Sequence, residues 1–192
     1  MKSFDETIDA AFEPWRGQPQ VDRAAALISN LADYGLIWVA LALFKARRRG
    51  PNRRRAIVSL GLAGVSSYAV NRAVKSVVDR QRPEEHLEAS VRTPSSSSFP
   101  SGHTLAAFCT AFVLSESPTG TATAVGFASA VAVSRVHLRA HHPSDVLGGA
   151  AIGSALGLAL RPVVNGLTPG SRRRLKRSAQ GMGPEGYMLK RL

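Results

Sequence analysis

Cysteine, aromatic rings and acid are all scarce in this 192-residue chain. The single cysteine, Cys109, lies inside an apolar run. A lone thiol cannot close an internal disulfide, which leaves packing as its role. Aromatic residues make up 6% of the chain, and none is interleaved with its basic clusters. It therefore lacks the stacking platforms on which nucleic-acid bases sit. The 13 acids stand against 25 Lys and Arg. They form no dense carboxylate set for Mg²⁺, and the His and Asp residues lack zinc-ligand spacing. No metal or cofactor is expected. The opening stretch MKSFDETIDAAFEPW is acidic and has no basic-then-apolar layout of a signal peptide.

The net charge of +12 invites a nucleic-acid partner, but its location argues otherwise. Lys45, Arg47, Arg48, Arg49, Arg53, Arg54 and Arg55 crowd one connector. Arg172, Arg173, Arg174, Lys176, Arg177, Lys190 and Arg191 crowd the tail. Basic clusters flanking apolar segments are topology signals for a membrane, so nucleic acid is not an expected partner and membrane lipid is.

Five apolar runs follow one another: residues 24–44, 56–71, 104–115, 120–133 and 146–160. The first carries one charge, Asp33, and as a helix would span about 31 Å, enough for a bilayer core of ~30 Å. The second is expected to continue as helix through Arg72 and Lys75 until RQRP ends it. The last three runs are short, and buried core helices would account for them equally well. Two features favour the membrane. Gly149, Gly153 and Gly157 recur every fourth residue, the spacing that lets membrane helices approach closely. With connector 45–55 and the tail placed in the cytoplasm, the acidic N-terminus and the 79–101 and 137–144 connectors all fall outside, and one orientation satisfies every connector. The expected fold is an all-α, membrane-embedded bundle of five or six helices. Residues 1–23 form an acidic or amphipathic lead segment, 24–167 the helical domain and 168–192 a basic tail.

That orientation brings three polar clusters to one membrane face. KSVVDRQRP holds Lys75 and Arg82, seven residues apart and able to share a helix face. FPSGHT places Ser101, Gly102 and His103 at a helix start, where unpaired N–H groups and a partial positive charge suit an anion. SRVHLRAHHPSD holds Arg135, the adjacent His141 and His142, and Asp145 in the first turn of the next helix. A carboxylate bonded to one imidazole nitrogen makes the other more basic and better aimed. Taken singly, these clusters read as interface anchors, a serine cap and a wet loop. Together they supply three cations, activated histidines, an aspartate and a helix N-terminus, which is the inventory of phosphoryl transfer.

The pattern K-x6-RP, PSGH and SR-x5-H-x3-D, here Lys75–Arg82–Pro83, Pro100–Ser101–Gly102–His103 and Ser134–Arg135–His141–Asp145, resembles the type 2 phosphatidic acid phosphatase superfamily. That superfamily includes membrane lipid phosphatases, soluble acid phosphatases and vanadium haloperoxidases. The resemblance covers residues 56–160. Its spacing selects His141 over His142, and leaves His142 and His137 as neighbours that shape the pocket or face water. It implies that His141 attacks phosphorus to form a phosphohistidine, that Asp145 orients it, and that His103 protonates the leaving oxygen and later activates water. It further implies that Lys75, Arg82, Arg135, Ser101 and the Gly102 N–H bind the phosphate oxygens. Membrane members usually have six spans, against five counted here plus a candidate amphipathic helix near residues 3–14.

The leading expectation is a multi-pass membrane enzyme with an extracytoplasmic site. It would hydrolyse, without metal, phosphatidic acid or a related glycerolipid, a polyprenyl diphosphate or a polyprenyl-linked sugar phosphate. The alternatives are a soluble acid phosphatase or vanadate-binding haloperoxidase with the same site, and a non-catalytic module that holds anionic lipid.

Overall fold

The computed structural model describes residues 2–32, 38–40, 43, 51–83 and 96–168. Among them are six α-helices, one 3₁₀ turn and no strand, as expected of an all-α bundle. They are α1 (Lys2–Phe12), α2 (Pro19–Ala32), α3 (Pro51–Val77), α4 (Gly102–Leu114), α5 (Pro118–His137) and α6 (Pro143–Leu167), with the 3₁₀ turn Glu13–Trp15 after α1. The second half of the 24–44 run, most of the basic connector and the tail lie largely outside the described residues.

The apolar runs understate the helices that contain them. α3 begins at Pro51, before its uncharged run, and takes in Arg53, Arg54 and Arg55. Arg55 is no surface charge: it is 4% exposed, pairs with Glu116 at 3.0 Å and donates to Asn165 Oδ1 at 2.5 Å. α5 extends the 120–133 run to 20 residues, opened by the Ser117 side chain, which accepts from Gly120 N–H at 3.1 Å, with Pro118 in the first turn. α6 extends the 146–160 run to 25 residues.

Two helices, Arg53–Val77 and Pro143–Leu167, are long and apolar enough to cross a membrane. Their apolar windows are only 17% and 22% buried in the protein, whereas the core helix of a soluble domain is mostly covered. Ile57, Val65, Leu147, Leu158 and Val163 project outward from them. α4 is different. Its 13 residues reach about 20 Å, short of a bilayer core, and Leu105, Cys109 and Val113 are fully buried. It is the helix against which α3, α5 and α6 pack, and Cys109 fills the core with Ala63, Val113 and Val164.

The glycines of α6 let its backbone lie directly against that of α4. A Cβ on Gly149 would meet the Ser101 carbonyl oxygen at 2.7 Å, one on Gly153 the Leu105 backbone, and one on Gly157 the Cys109 carbonyl oxygen at 2.6 Å. Each step of four on α6 matches a step of four on α4, so the two backbones lie in register. At the top of this seam the Ser101 N–H donates to the Asp145 carbonyl oxygen at 3.1 Å.

Chain direction alternates through the bundle. The C-terminal ends of α3 and α5 and the N-terminal ends of α4 and α6 therefore share one end, with α1 packed across α5 and α6 there. Phe12 of α1 rests on Ala132, Val136 and Val146.

Gly153→Ala should lower the thermal midpoint by an amount corresponding to ~1–3 kcal/mol, the usual cost of overpacking. Gly61→Ala, where nothing lies within 4 Å, should leave it unchanged or raise it slightly, since alanine favours helix by up to ~1 kcal/mol. Thermal unfolding of the two variants in one detergent checks the pair.

Candidate active site

A cleft of about 330 Å³ opens at this shared end. Lys75, Arg82, Gly102, His103, Arg135 and His141 line it, and its walls continue to Ala32, Trp38, Gly64 and Ala106. Six of the eight residues singled out in the sequence thus face one space. The other two, Ser101 and Asp145, stand behind it, both fully buried.

Apart from Arg82, which lies in the connector after α3, these side chains are delivered by helix ends. Lys75 comes from the last turn of α3 and Arg135 from the last turn of α5. Ser101 is the N-cap of α4, Gly102 its first residue and His103 its second. The Ser101 hydroxyl is buried and accepts from Thr104 Oγ1 at 3.0 Å. Gly102 packs so tightly that a Cβ would come within 3.1 Å of the Asn71 amide. His141 precedes α6, and Asp145 lies in its first turn.

His141 is 3% exposed, and its partners fix its tautomer. Nδ1 lies 2.8 Å from the Ser98 carbonyl oxygen, which can only accept, so Nδ1 carries the proton. Nε2 is left with its lone pair and receives the Arg82 Nη1–H at 3.3 Å. Asp145 is more distant than the sequence pattern suggested: its Oδ2 stands 3.7 Å from Nδ1. At that range it is an ionic neighbour, and Ser98 makes the hydrogen bond. The Asp145 carboxylate is itself clamped, Oδ2 by the His142 N–H at 2.9 Å and Oδ1 by Arg80 Nη1.

The cations rest on backbone carbonyls. Lys75 Nζ donates to Ser97 O at 2.6 Å, and Arg82 Nη1 to Ala140 O at 2.8 Å. Arg135 is fully buried and donates through Nη1 to Ser29 Oγ of α2. Among the described acids, Asp145 is the one that stands among these three cations, and Arg80 already engages it. The cleft therefore suits an anion.

The remaining histidines separate. His137 neither shapes the cleft nor faces water: it is 3% exposed and its Nε2 meets Asp22 Oδ1 at 2.7 Å. His142 is the N-cap of α6, with Nε2 3.2 Å from Gln81 O. Sequence reasoning missed Ser98, Ser29, Arg80 and Asp5. Ser98 acts through its carbonyl, which any residue type supplies. Ser29 and Asp5 are remote in sequence. Only Arg80, two residues before Arg82 in the same basic stretch, left a signal.

The family model of the PAP2 superfamily matches residues 56–169. The chain is similar to the decaprenylphosphoryl-5-phosphoribose phosphatase of Mycobacterium tuberculosis, with 33% identity over 163 residues that cover 82% of this chain and 89% of that protein. The phosphatase of the same name from Mycolicibacterium smegmatis is 32% identical over 146 residues, covering 76% and 80%. Among solved structures, a transmembrane PAP2-type phosphatidylglycerolphosphate phosphatase from Bacillus subtilis superposes with a TM-score of 0.61 at 28% identity, covering 86% of this chain and 85% of that one. Aquifex aeolicus LpxE gives a TM-score of 0.61 at 26% identity, covering 80% and 92%.

Burial first, and then the Arg82 and Arg135 charges, push the His141 imidazole down to about 4, against the pull of Asp145. In the unfolded chain it titrates near 6.5. As pH falls below 6.5 the unfolded chain takes up a proton that the folded protein refuses until about pH 4. Stability is therefore fully present above pH 6.5, drains away between 6.5 and 4, and levels off below. The loss is on the order of 3 kcal/mol. Thermal unfolding at pH 7 and pH 4 should show a larger drop for the native protein than for His141→Gln.

Proposed function

Because the chain belongs to the PAP2 superfamily and is a phosphatase, we propose that it is a multi-pass membrane enzyme that cleaves the phosphomonoester of a lipid-linked substrate through a phosphohistidine at His141. The observation that carries this reading is the state of His141: Nδ1 is committed to the Ser98 carbonyl, and Nε2 presents its lone pair to a cleft lined with Lys75, Arg82 and Arg135.

In this mechanism the substrate phosphate displaces the backbone carbonyls as partner of Lys75 and Arg82. Arg135 and the Gly102 N–H complete the cradle for its oxygens, with Ser101 buried behind them at the start of α4. Turning Arg82 to the phosphate frees His141 Nε2, which attacks phosphorus in line. The P–N bond forms as the P–O bond to the leaving group breaks, and His103 gives that oxygen its proton. The imidazolium so formed keeps its Nδ1–H on Ser98, with the Asp145 charge 3.7 Å away. His103, now neutral, takes a proton from water. The resulting hydroxide cleaves the P–N bond, and phosphate leaves. General acid–base catalysis contributes ~10²–10⁴-fold, and a preorganised donor on the developing charge ~3–4 kcal/mol.

The relatives named for decaprenylphosphoryl-5-phosphoribose favour a polyprenyl-linked sugar phosphate among the candidate substrates. The walls of the cleft support that choice. Trp38, Ala32 and Ala106 carry the lining from the cations toward apolar helix surface, a course that suits a charged head on a hydrocarbon chain. The charge pattern supports a site outside the cytoplasm, with connector 45–55 and the tail inside.

Phosphate release from a panel of lipid phosphates in detergent with EDTA should be fastest for the polyprenyl phosphosugar and insensitive to the chelator. His141→Ala should abolish both turnover and the acid-labile phosphoenzyme. Lys75→Ala should retain measurable turnover, slower by about 10²–10³-fold, the cost of one lost donor. Normal turnover in His141→Ala would refute the assignment.

A further inference from the structure

We propose that Asp5, on the helix ahead of the family-matched stretch, is a positioning residue for the hydrolysis, acting through Arg80 on Asp145. This rests on the phosphohistidine reading above.

The chain of contacts is continuous. Asp5 is 5% exposed. Its Oδ2 accepts from Arg80 Nη2 at 2.6 Å and from Ser144 Oγ at 2.8 Å, and its Oδ1 accepts from the Ser144 N–H at 2.8 Å. The other terminal nitrogen of Arg80, Nη1, donates to Asp145 Oδ1 and, at 2.7 Å, to Ser144 Oγ. One guanidinium thus bridges two carboxylates, one from α1 and one beside the proposed nucleophile. The second oxygen of Asp145 is the one that faces His141.

Two physical consequences follow. The N-cap of α6 is His142, a residue outside the preferred Ser, Thr, Asp and Asn set. Asp5 supplies from another helix the acceptor that the Ser144 N–H, in the first turn of α6, would otherwise lack. It thereby fixes the start of the helix that carries Asp145. The charge effect is the second. Arg80 divides its charge between Asp5 and Asp145. With Asp5 neutral, Arg80 would fall wholly on Asp145 and weaken that carboxylate's hold on the imidazolium formed at His141. The loss would appear in the chemical step and not in substrate binding, because neither Asp5 nor Arg80 lines the cleft.

A purely structural role for Asp5 is the competing explanation, and α1 has other anchors for that. Phe12 packs on Ala132, Val136 and Val146. Arg16, just past the 3₁₀ turn, donates to the carbonyls of Val136 and His137, both at 3.1 Å, and caps α5. Docking of α1 does not need a buried carboxylate aimed at Arg80.

The test uses the full-length protein in detergent with a polyprenyl phosphosugar as substrate. Asp5→Asn should lower kcat by about 10-fold or more, within the ~10² that a misplacement of about 1 Å costs, and leave KM unchanged. Formation of the phosphoenzyme should slow in parallel. Combining Asp5→Asn with Arg80→Gln should slow the enzyme no further than Arg80→Gln alone, since both act on one path. Phe12→Ala is the control: it should lower the thermal midpoint while the folded fraction keeps its kcat. Asp5→Ser retains an acceptor for the Ser144 N–H without the charge and should show the same kcat loss should Asp5→Asn not fold. An unchanged kcat in either folded variant, additive effects with Arg80→Gln, or loss of folding in both Asp5 variants would overturn the proposal. Native protein that forms no phosphoenzyme would instead overturn the phosphohistidine reading on which it rests.

Discussion

The backbone seam between α4 and α6 is the contact on which the rest of the site depends. Three glycines on α6 face Ser101, Leu105 and Cys109 on α4, and none of the three positions has room for a side chain. Dispersion and weak Cα–H···O contacts favour such close packing where the surroundings are apolar and burial against water gives little drive. The seam also sets register. Because the Ser101 N–H reaches the Asp145 carbonyl, the start of α4 that lines the cleft and the start of α6 are locked together. His141 and His103 consequently face the same cleft although 38 positions separate them in the sequence. A slip of one turn between the helices would move each by about 5.4 Å and separate them.

Charge is distributed on a similar plan. Arg80 is saturated by Asp5, Asp145 and Ser144 and belongs to the scaffold. Asp5 shows this from the other side: burial would push its carboxyl up, but the Ser144 hydrogen bonds and Arg80 outweigh that and hold it below the usual carboxylate range. Lys75 and Arg82 instead rest on neutral carbonyls, partners that a phosphate can replace at little loss. Cations tied to carboxylates would have to break ion pairs to bind substrate. Two kinds of arginine within three residues, Arg80 and Arg82, therefore serve opposite ends.

Much of this was legible in the chain itself, because it is periodic. The i, i+4 glycines announced the seam, and alternating apolar runs announced a bundle whose polar ends would meet. The family spacing picked His141 from an adjacent pair, and the cleft contains it. What stayed hidden has physical reasons. Helix lengths were underestimated because charged ends such as Arg53–Arg55 and His137 read as connectors, whereas Arg55 and His137 are buried on partners remote in sequence. The Ser98 carbonyl left no trace, since a backbone acceptor is independent of side-chain identity. Asp5 and Asp22 looked like ordinary acids of an acidic lead segment. Their partners, Arg80 and His137, lie 75 and 115 residues away.

The tautomer of His141 ties these layers together. In the proposed mechanism the imidazole attacks through Nε2, which needs Nδ1 protonated and held. A buried carboxylate in direct contact would do this strongly, but it would also favour the protonated ring at neutral pH and so remove the lone pair. A neutral carbonyl at 2.8 Å with the carboxylate set back at 3.7 Å separates the two tasks. Ser98 fixes the tautomer while the ring stays neutral. In the proposed mechanism Asp145 would contribute most when positive charge appears on the ring, that is, during attack on phosphorus. A group whose interaction grows along the reaction coordinate lowers the barrier without trapping the ground state. Setting the carboxylate back requires something to hold it there against the pull of the ring, and the Arg80 guanidinium, braced from the far side by Asp5, is placed to do that.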